Sequence, residues 1–187
     1  MELYKRLNMK DMLATSLYQL MMEKPFEKIT IKQITDKTGV IRGTFYNHFY
    51  DKYETLEYLT YMMLVNQFDN HIGEQEFINV VKNIIKEIDA NKKFIAKCFK
   101  VEGQNSFESM LTKVFRYVFD EYTKEHSIHF SKCVMNKDLF LNTTANMIVY
   151  VIKEWVMGGK EYTYEEICKV FEMILTKSHK DLLDELR

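Results

Sequence analysis

A chain of 187 residues with 47% hydrophobic content can bury one sizeable core, or a small head on a larger body, which excludes a disordered polypeptide. One proline and six glycines leave long helices uninterrupted and exclude the many turns of an all-β fold, so the expected class is all-α. A formal charge of −1 argues against indiscriminate attraction to nucleic acid. No run reaches the length of a membrane span, and MELYKRLNMK at the N-terminus lacks the apolar stretch of a signal peptide, so the expected location is the cytoplasm, with no membrane partner.

In chain order, Met9, Met12, Leu13, Leu17, Leu20 and Met21 recur at helical spacing, with Asn8 as a cap and Pro25 just past the end. Thr30 precedes the next periodic run, where its hydroxyl can accept a hydrogen bond from a free amide of the first turn. Ile31, Ile34 and the aliphatic stem of Lys37 carry that helix to about Thr38. Gly39 follows, where a left-handed residue must end it. Val40 suits the angle between this helix and the next, whose inward stripe is Phe45 and Phe49. Arg42, Thr44, Asn47 and His48 are left facing outward.

Two short helices joined by a tight glycine turn form a DNA-reading device. An arginine near the start of the second helix can pair bidentately with the O6 and N7 of guanine in the major groove. Thr44 suits a thymine methyl, and Asn47 a base edge or a phosphate oxygen. Tyr46, His48 and Lys52 carry donors suited to phosphates, which orient a protein without reading sequence. Asp51 can cap the helix at Lys52, whose start adds attraction for a phosphate. The plainer readings make Phe45 and Phe49 core, Tyr46 partly core, His48 an ordinary surface histidine and Arg42 a phosphate contact. From Lys28 to Lys52 five basic residues stand against two acidic, whereas from Tyr61 onward 17 basic residues face 19 acidic. A basic head on a mildly acidic body keeps attraction to a duplex local.

Beyond Asp51, a helix is expected through Tyr53, Leu56, Tyr58, Leu59, Met62, Met63 and Phe68, before Gly73. No stretch rich in proline, glycine or serine separates head from body. Phe77, Val80, Val81, Ile84, Ile85 and Ile88 form one amphipathic stripe, and Phe107, Met110, Leu111, Val114, Phe115, Val118, Phe119 and Tyr122 another. Between them a short helix around Phe94 to Phe99 and a turn at Gly103 are expected. From Asp138 to Met157 the helix is apolar on two faces and needs two partners, one of them outside its own subunit. Gly158 and Gly159 end it. A last helix from about Thr163 places Ile167, Val170, Phe171, Ile174 and Leu175 on one face, with Leu182, Leu183 and Leu186 beyond. The last two helices are the expected dimer surface.

Catalytic constellations are absent, so no enzyme and no cofactor are expected. Cys98, Cys133 and Cys168 lack metal-ligand spacing and read as reduced thiols. His126, His129 and Cys133 form a weak ligand set, and solvated histidines are the better reading. Met62, Phe94, Phe115, Phe119, Met147 and Trp155 could line an apolar cavity, but core filling is the stronger reading of each.

The run GVIRGTFYNHFYDKYETL, preceded by ITIKQITDKTG and an amphipathic helix, resembles the N-terminal domain of the TetR/AcrR family of transcriptional regulators. Gly39, Val40, Gly43, Thr44, Phe45, Tyr46, His48, Phe49 and Lys52 match that family's pattern, over about the first third of the chain. The resemblance implies an all-α protein with an N-terminal three-helix helix-turn-helix DNA-binding domain, taken as 1–52. A larger helical ligand-binding and dimerisation domain follows, taken as 53–187. It also implies a homodimer on a palindromic double-stranded DNA operator and, often, a small-molecule effector. By the same resemblance Thr30, Tyr46, His48 and Lys52 are phosphate contacts, and Arg42, Gly43 and Thr44 face the groove. The expected function is a ligand-responsive repressor. The alternatives are an activator or co-regulator acting through a protein partner, or a DNA-bound scaffold. Two positions depart from the pattern: Ile41 stands where serine commonly caps the reading helix, and Thr35 where alanine is usual. The threonine is tolerable if its hydroxyl bonds back to a helix carbonyl.

Overall fold

Local capping signals in the chain set the helix starts. Asn8 and Asp11 close a reciprocal box at the first helix, Thr30 and Gln33 at the second of the head, and Thr163 and Glu166 near the C-terminal end. The structure, a computed structural model, describes residues 8–65, 77–130, 135–159, 161–177 and 179–185. Among them every regular element is helical, so the expected all-α class is borne out. The order is α1 (Met9–Glu23), a 3-10 turn (Phe26–Lys28), α2 (Ile31–Thr38), α3 (Arg42–Tyr46), α4 (Lys52–Leu64), α5 (Phe77–Ala90), α6 (Lys92–Cys98), α7 (Phe107–Glu125), α8 (Lys137–Met157), α9 (Tyr164–Thr176) and α10 (His179–Glu185). Phe68, Gly73, Cys133 and Leu186 lie outside the described residues. No helix among the described residues is long and apolar enough to cross a membrane.

The chain divides into two compact units, Met1–Met63 with Lys93–Met110, and Leu64–Lys92 with Leu111–Arg187. In the first, Leu13, Leu17 and Met21 of α1, Ile34 of α2, Phe45 and Phe49 around α3, and Leu56 of α4 are buried. Burial of such side chains is the main favourable term holding five short elements together, since helices of this length are marginal alone. Polar ties fix their register. Tyr58 of α4 donates to Asp11 of α1 at 2.7 Å. The Thr38 hydroxyl lies 2.8 Å from both Ser16 Oγ of α1 and its own helix carbonyl at Ile34, so its one proton goes to one of them and Ser16 completes the other link.

α6 groups with this unit. The Phe94 and Tyr18 rings lie 4.5 Å apart, and the Lys97 ammonium donates to the carbonyls of Met21 and Met22 at 3.0 and 2.7 Å. Those carbonyls are at the C-terminal end of α1, where a cation also suits the helix dipole.

The second unit is built from the expected stripes. Val80, Val81, Ile84, Ile85 and Ile88 of α5, Phe115, Val118 and Phe119 of α7, Ile148, Ile152 and Trp155 of α8, and Ile167 and Phe171 of α9 are all buried. α5 and α9 pack together and are bridged by Lys82 and Glu172 at 3.3 Å. Gly158 ends α8, and a Cβ there would stand 2.2 Å from the Glu154 carbonyl oxygen, so only glycine lets the chain leave the helix by this path. Trp155 secures the turn by donating its indole N–H to the Tyr162 carbonyl at 3.1 Å, with the Lys92 ammonium 4.8 Å from its ring.

Candidate nucleic-acid interface

α2 is capped at both ends by residues the sequence singles out. Thr30 Oγ1 accepts from the Gln33 amide at 3.3 Å, and Gln33 Oε1 accepts from the Thr30 amide at 3.1 Å. As an acceptor, the Thr30 hydroxyl keeps its proton to donate outward. At the other end Gly39 sits at φ 79°, ψ 30°, a left-handed conformation that strains any residue with a Cβ. Its amide and that of Val40 both reach the Thr35 carbonyl, at 2.9 and 3.0 Å, and turn the chain into α3. Thr35 is buried, and its hydroxyl donates to the Lys32 carbonyl at 3.0 Å, the back-bond that makes threonine tolerable at this crossing. Lys37 extends to Glu23 of α1 at 3.0 Å.

α3 is only five residues long and is held by its neighbours. Phe45 is fully buried and its ring lies 5.9 Å from that of Phe49, which in turn lies 5.4 Å from Tyr58 of α4. With Phe45 pinned inward, Arg42, Gly43, Tyr46 and Asn47 share the outward side and are exposed, Tyr46 by 57%. Thr44 and His48 are half-buried on the flanks. The structure thus brings four of the expected contact residues onto one open face and sets two at its edges.

Lys52 has a more specific position than its motif suggests. Its ammonium donates to the carbonyls of Phe26, Ile29 and Glu27 at 2.8, 3.0 and 3.3 Å, and lies 4.4 Å from the centre of the Phe26 ring. Burial lowers its pKa from the ordinary lysine value, and the Glu27 and Asp51 carboxylates oppose that shift. Lys52 therefore ties the turn ahead of α2 to the start of α4. Lys52→Met is expected to lower stability by about 1 to 2 kcal/mol, the value of hydrogen bonds to a charged group discounted for solvent exposure. Thermal unfolding measures it. An unchanged midpoint with weaker DNA binding would leave Lys52 a phosphate contact without a structural role. Beside it, Asp51 accepts from the Glu54 amide at 2.8 Å and Glu54 from the Tyr50 amide at 2.5 Å, which caps α4 as expected of Asp51.

Two exposed residues of this surface are absent from the sequence-based set. Tyr50 follows the buried Phe49 and is therefore swung outward. Ile41, the N-cap of α3, has no side-chain capping bond and lies in the open. The signal for Ile41 was its mismatch with a capping position, and for Tyr50 its place one residue after a core phenylalanine.

Cys98 and Cys168 are free and buried, and burial pushes both thiols up from the ordinary value, away from the nucleophilic thiolate. Among the described residues no cluster of histidine, cysteine and carboxylates could hold a metal ion. Phe115, Phe119 and Trp155, sequence candidates for a cavity wall, are buried core residues, while Met147 faces outward. In the second unit Lys113, Arg116, Tyr117, Asp120, Lys137 and Asp138 line an open cleft between α7 and the start of α8. Its charges pair across the cleft, Lys137 with Asp120 at 2.7 Å and Arg116 with Asp138 at 3.3 Å.

Comparison with known proteins finds two family models along the chain. One described as bacterial regulatory proteins of the tetR family matches residues 16–59, and one described as a transcriptional regulator C-terminal region matches residues 75–177. The HTH-type dhaKLM operon transcriptional activator DhaS of Lactococcus lactis is 25% identical over 178 residues, covering 86% of this chain and 90% of that protein. A solved structure of the dihydroxyacetone kinase operon activator DhaS superposes with a TM-score of 0.59 at 20% identity, over 89% of this chain and 91% of the other. The Lin0861 structure from Listeria innocua gives a TM-score of 0.66 at 21% identity, over 94% of each chain. At these identities the structures establish the shared fold.

Proposed function

The chain belongs to the TetR family of bacterial regulatory proteins, and from that premise we propose that it is a homodimeric, effector-responsive repressor reading a palindromic operator through paired α3 helices. As a member of that family it is a DNA-binding transcriptional regulator and not an enzyme. The observation that carries the proposal is the two-sided character of α3: Phe45 is anchored in the core while Arg42, Tyr46 and Asn47 stand exposed. Residues 1–52 serve as the reading head and 53–187 as the regulatory and dimerising body.

In this reading Arg42 pairs with a guanine edge, and bare Gly43 lets the α3 backbone approach the bases. Thr44 offers its methyl group to the groove, and Asn47 its amide to a base edge or phosphate. Thr30, Tyr46 and His48 hold phosphates on either side. Lys52, whose three ammonium protons go to the carbonyls of Phe26, Glu27 and Ile29, acts on a phosphate through its charge or by giving up one of those bonds. Arg42→Ala is expected to cost about 1 to 3 kcal/mol of operator binding and to relax specificity at one base pair per half-site, read by titrating single-base operator variants. An equal loss on every sequence would make Arg42 a phosphate contact instead.

The body supports a dimer. Leu139, Met147, Tyr150 and Met157 recur along the outer side of α8 and are exposed, while Leu141, Ile148, Ile152 and Trp155 fill its inner side. A helix apolar on both sides needs a second partner, and α8 with α9 against their symmetry mates would form a four-helix bundle. An effector that prefers one spacing of the heads would change operator affinity by that preference.

A second reading, activation, is favoured by one observation: the similar protein DhaS is a transcriptional activator of its operon. A gel shift with DNA from upstream of the chain's own gene, repeated with candidate metabolites, tests the first reading. A shift at low salt that one metabolite abolishes is the expected result. Transcription in a reconstituted assay then decides the sign, falling for a repressor and rising for an activator. Binding that no metabolite alters, together with co-purification of a protein partner, would replace effector control by partner control.

A further inference from the structure

Ile41 is the most exposed aliphatic side chain among the described residues, at 77% of its surface. It occupies the N-cap of α3, where serine, threonine, aspartate or asparagine would satisfy a free amide, and it makes no such bond. Its position therefore carries two local disadvantages, an uncapped helix and an isoleucine in water. The side chain does not fold back into the head. Its Cδ1 leans over the first turn of α3, 3.8 Å from where a Cβ on Gly43 would be, an ordinary van der Waals separation that places it beside the bare glycine. Ile41 thus forms one continuous outward surface with Arg42 and Gly43, at the end of the reading helix that meets base edges in helix-turn-helix complexes.

We propose that Ile41 is a specificity-determining residue that packs against the C5-methyl group of a thymine in each operator half-site. The proposal rests on the reading that α3 enters the major groove, and it adds a base identity that Arg42 cannot supply. The thymine methyl is the one apolar group that a base pair presents in that groove, so it is the ligand an exposed aliphatic side chain there can recognise. Thr44, half-buried on the flank of α3, is the competing candidate for the same methyl.

The test uses the full-length protein and an operator obtained by selection from random duplexes. Each thymine of the half-site is replaced in turn by deoxyuridine, which removes only the methyl group. Affinities are measured for the wild type, Ile41→Ser, Ile41→Ala and Thr44→Ser. The wild type is expected to lose about fourfold at one thymine position per half-site, the contribution of one buried methyl-sized group. Both Ile41 variants should be indifferent to that replacement. Ile41→Ser can cap α3, so its melting temperature should equal or exceed that of the wild type, which separates loss of the contact from loss of the fold. A wild type indifferent to every deoxyuridine overturns the proposal. So does sensitivity that survives in both Ile41 variants, or that disappears only in Thr44→Ser. Failure of the wild type to bind any duplex would instead overturn the underlying placement of α3, and the proposal with it.

Discussion

Phe45→Ala is expected to lower the stability of the protein by about 3 to 5 kcal/mol, the range for removing a fully buried phenylalanine, and to abolish operator binding near physiological temperature. α3 has too few residues to persist alone, and Phe45 is its inward anchor, with rings of Tyr46 and Phe49 at 5.6 and 5.9 Å. Deleting the ring leaves a cavity beneath the residues proposed to touch DNA. A loss of this size is a large part of the total for a typical domain. Chemical denaturation of the variant, compared with Phe45→Leu, measures it. The leucine variant should retain part of the stability and measurable DNA binding. An alanine variant as stable as the wild type would mean that α3 is held by contacts other than Phe45.

The second large effect concerns the body. Met147→Glu combined with Tyr150→Glu is expected to convert the proposed dimer to a monomer and to weaken operator binding by roughly 10²- to 10⁴-fold, the avidity lost when two linked heads become one. Both residues are exposed in the single chain, Tyr150 by 64%, so the substitution leaves the core untouched. In the proposed two-fold interface each substitution enters twice, and burying the added carboxylates against an apolar patch without a cationic partner is unfavourable. Sedimentation reads the assembly and titration reads the affinity. A double variant that remains dimeric with unchanged helicity would remove the outer side of α8 from the interface.

The parts of the fold that were legible in the sequence are those governed by local chemistry. Asn8, Thr30, Asp51 and Thr163 can be read as helix starts because a short polar side chain satisfies amides only two or three residues away. Gly39 can be read as a left-handed stop, and the back-bond of Thr35 follows from its own hydroxyl. The amphipathic stripes of α5 and α7 identify their buried sides for the same reason.

What was not legible depends on distant chain. Lys52 bonds carbonyls some two dozen residues earlier and Lys97 those at the end of α1, and no periodicity announces which carbonyls a lysine will reach. The grouping of α6 with the first compact unit likewise follows from the Tyr18 and Phe94 contact across the chain. For α3, the motif gave Phe45 and Phe49 as the inward stripe, but it set Thr44 and His48 facing outward and Tyr46 partly in the core, whereas Thr44 and His48 are half-buried and Tyr46 is exposed. The orientation of Ile41 depended on how the chain leaves the Gly39 turn. Among the aromatic and methionine residues for which core filling was the stronger reading, packing buries Phe115, Phe119 and Trp155 and leaves Met147 outside.

The most direct test of DNA reading by α3 is selection of random double-stranded DNA by the purified full-length protein at low ionic strength, with Arg42→Ala in parallel. Enrichment of an inverted repeat is expected, its half-sites one helical turn of about 34 to 36 Å apart or a multiple of it. One guanine per half-site should lose its enrichment with Arg42→Ala. Recovery of duplexes no different from the starting pool, or of the same repeat unaltered by the Arg42 substitution, would contradict it.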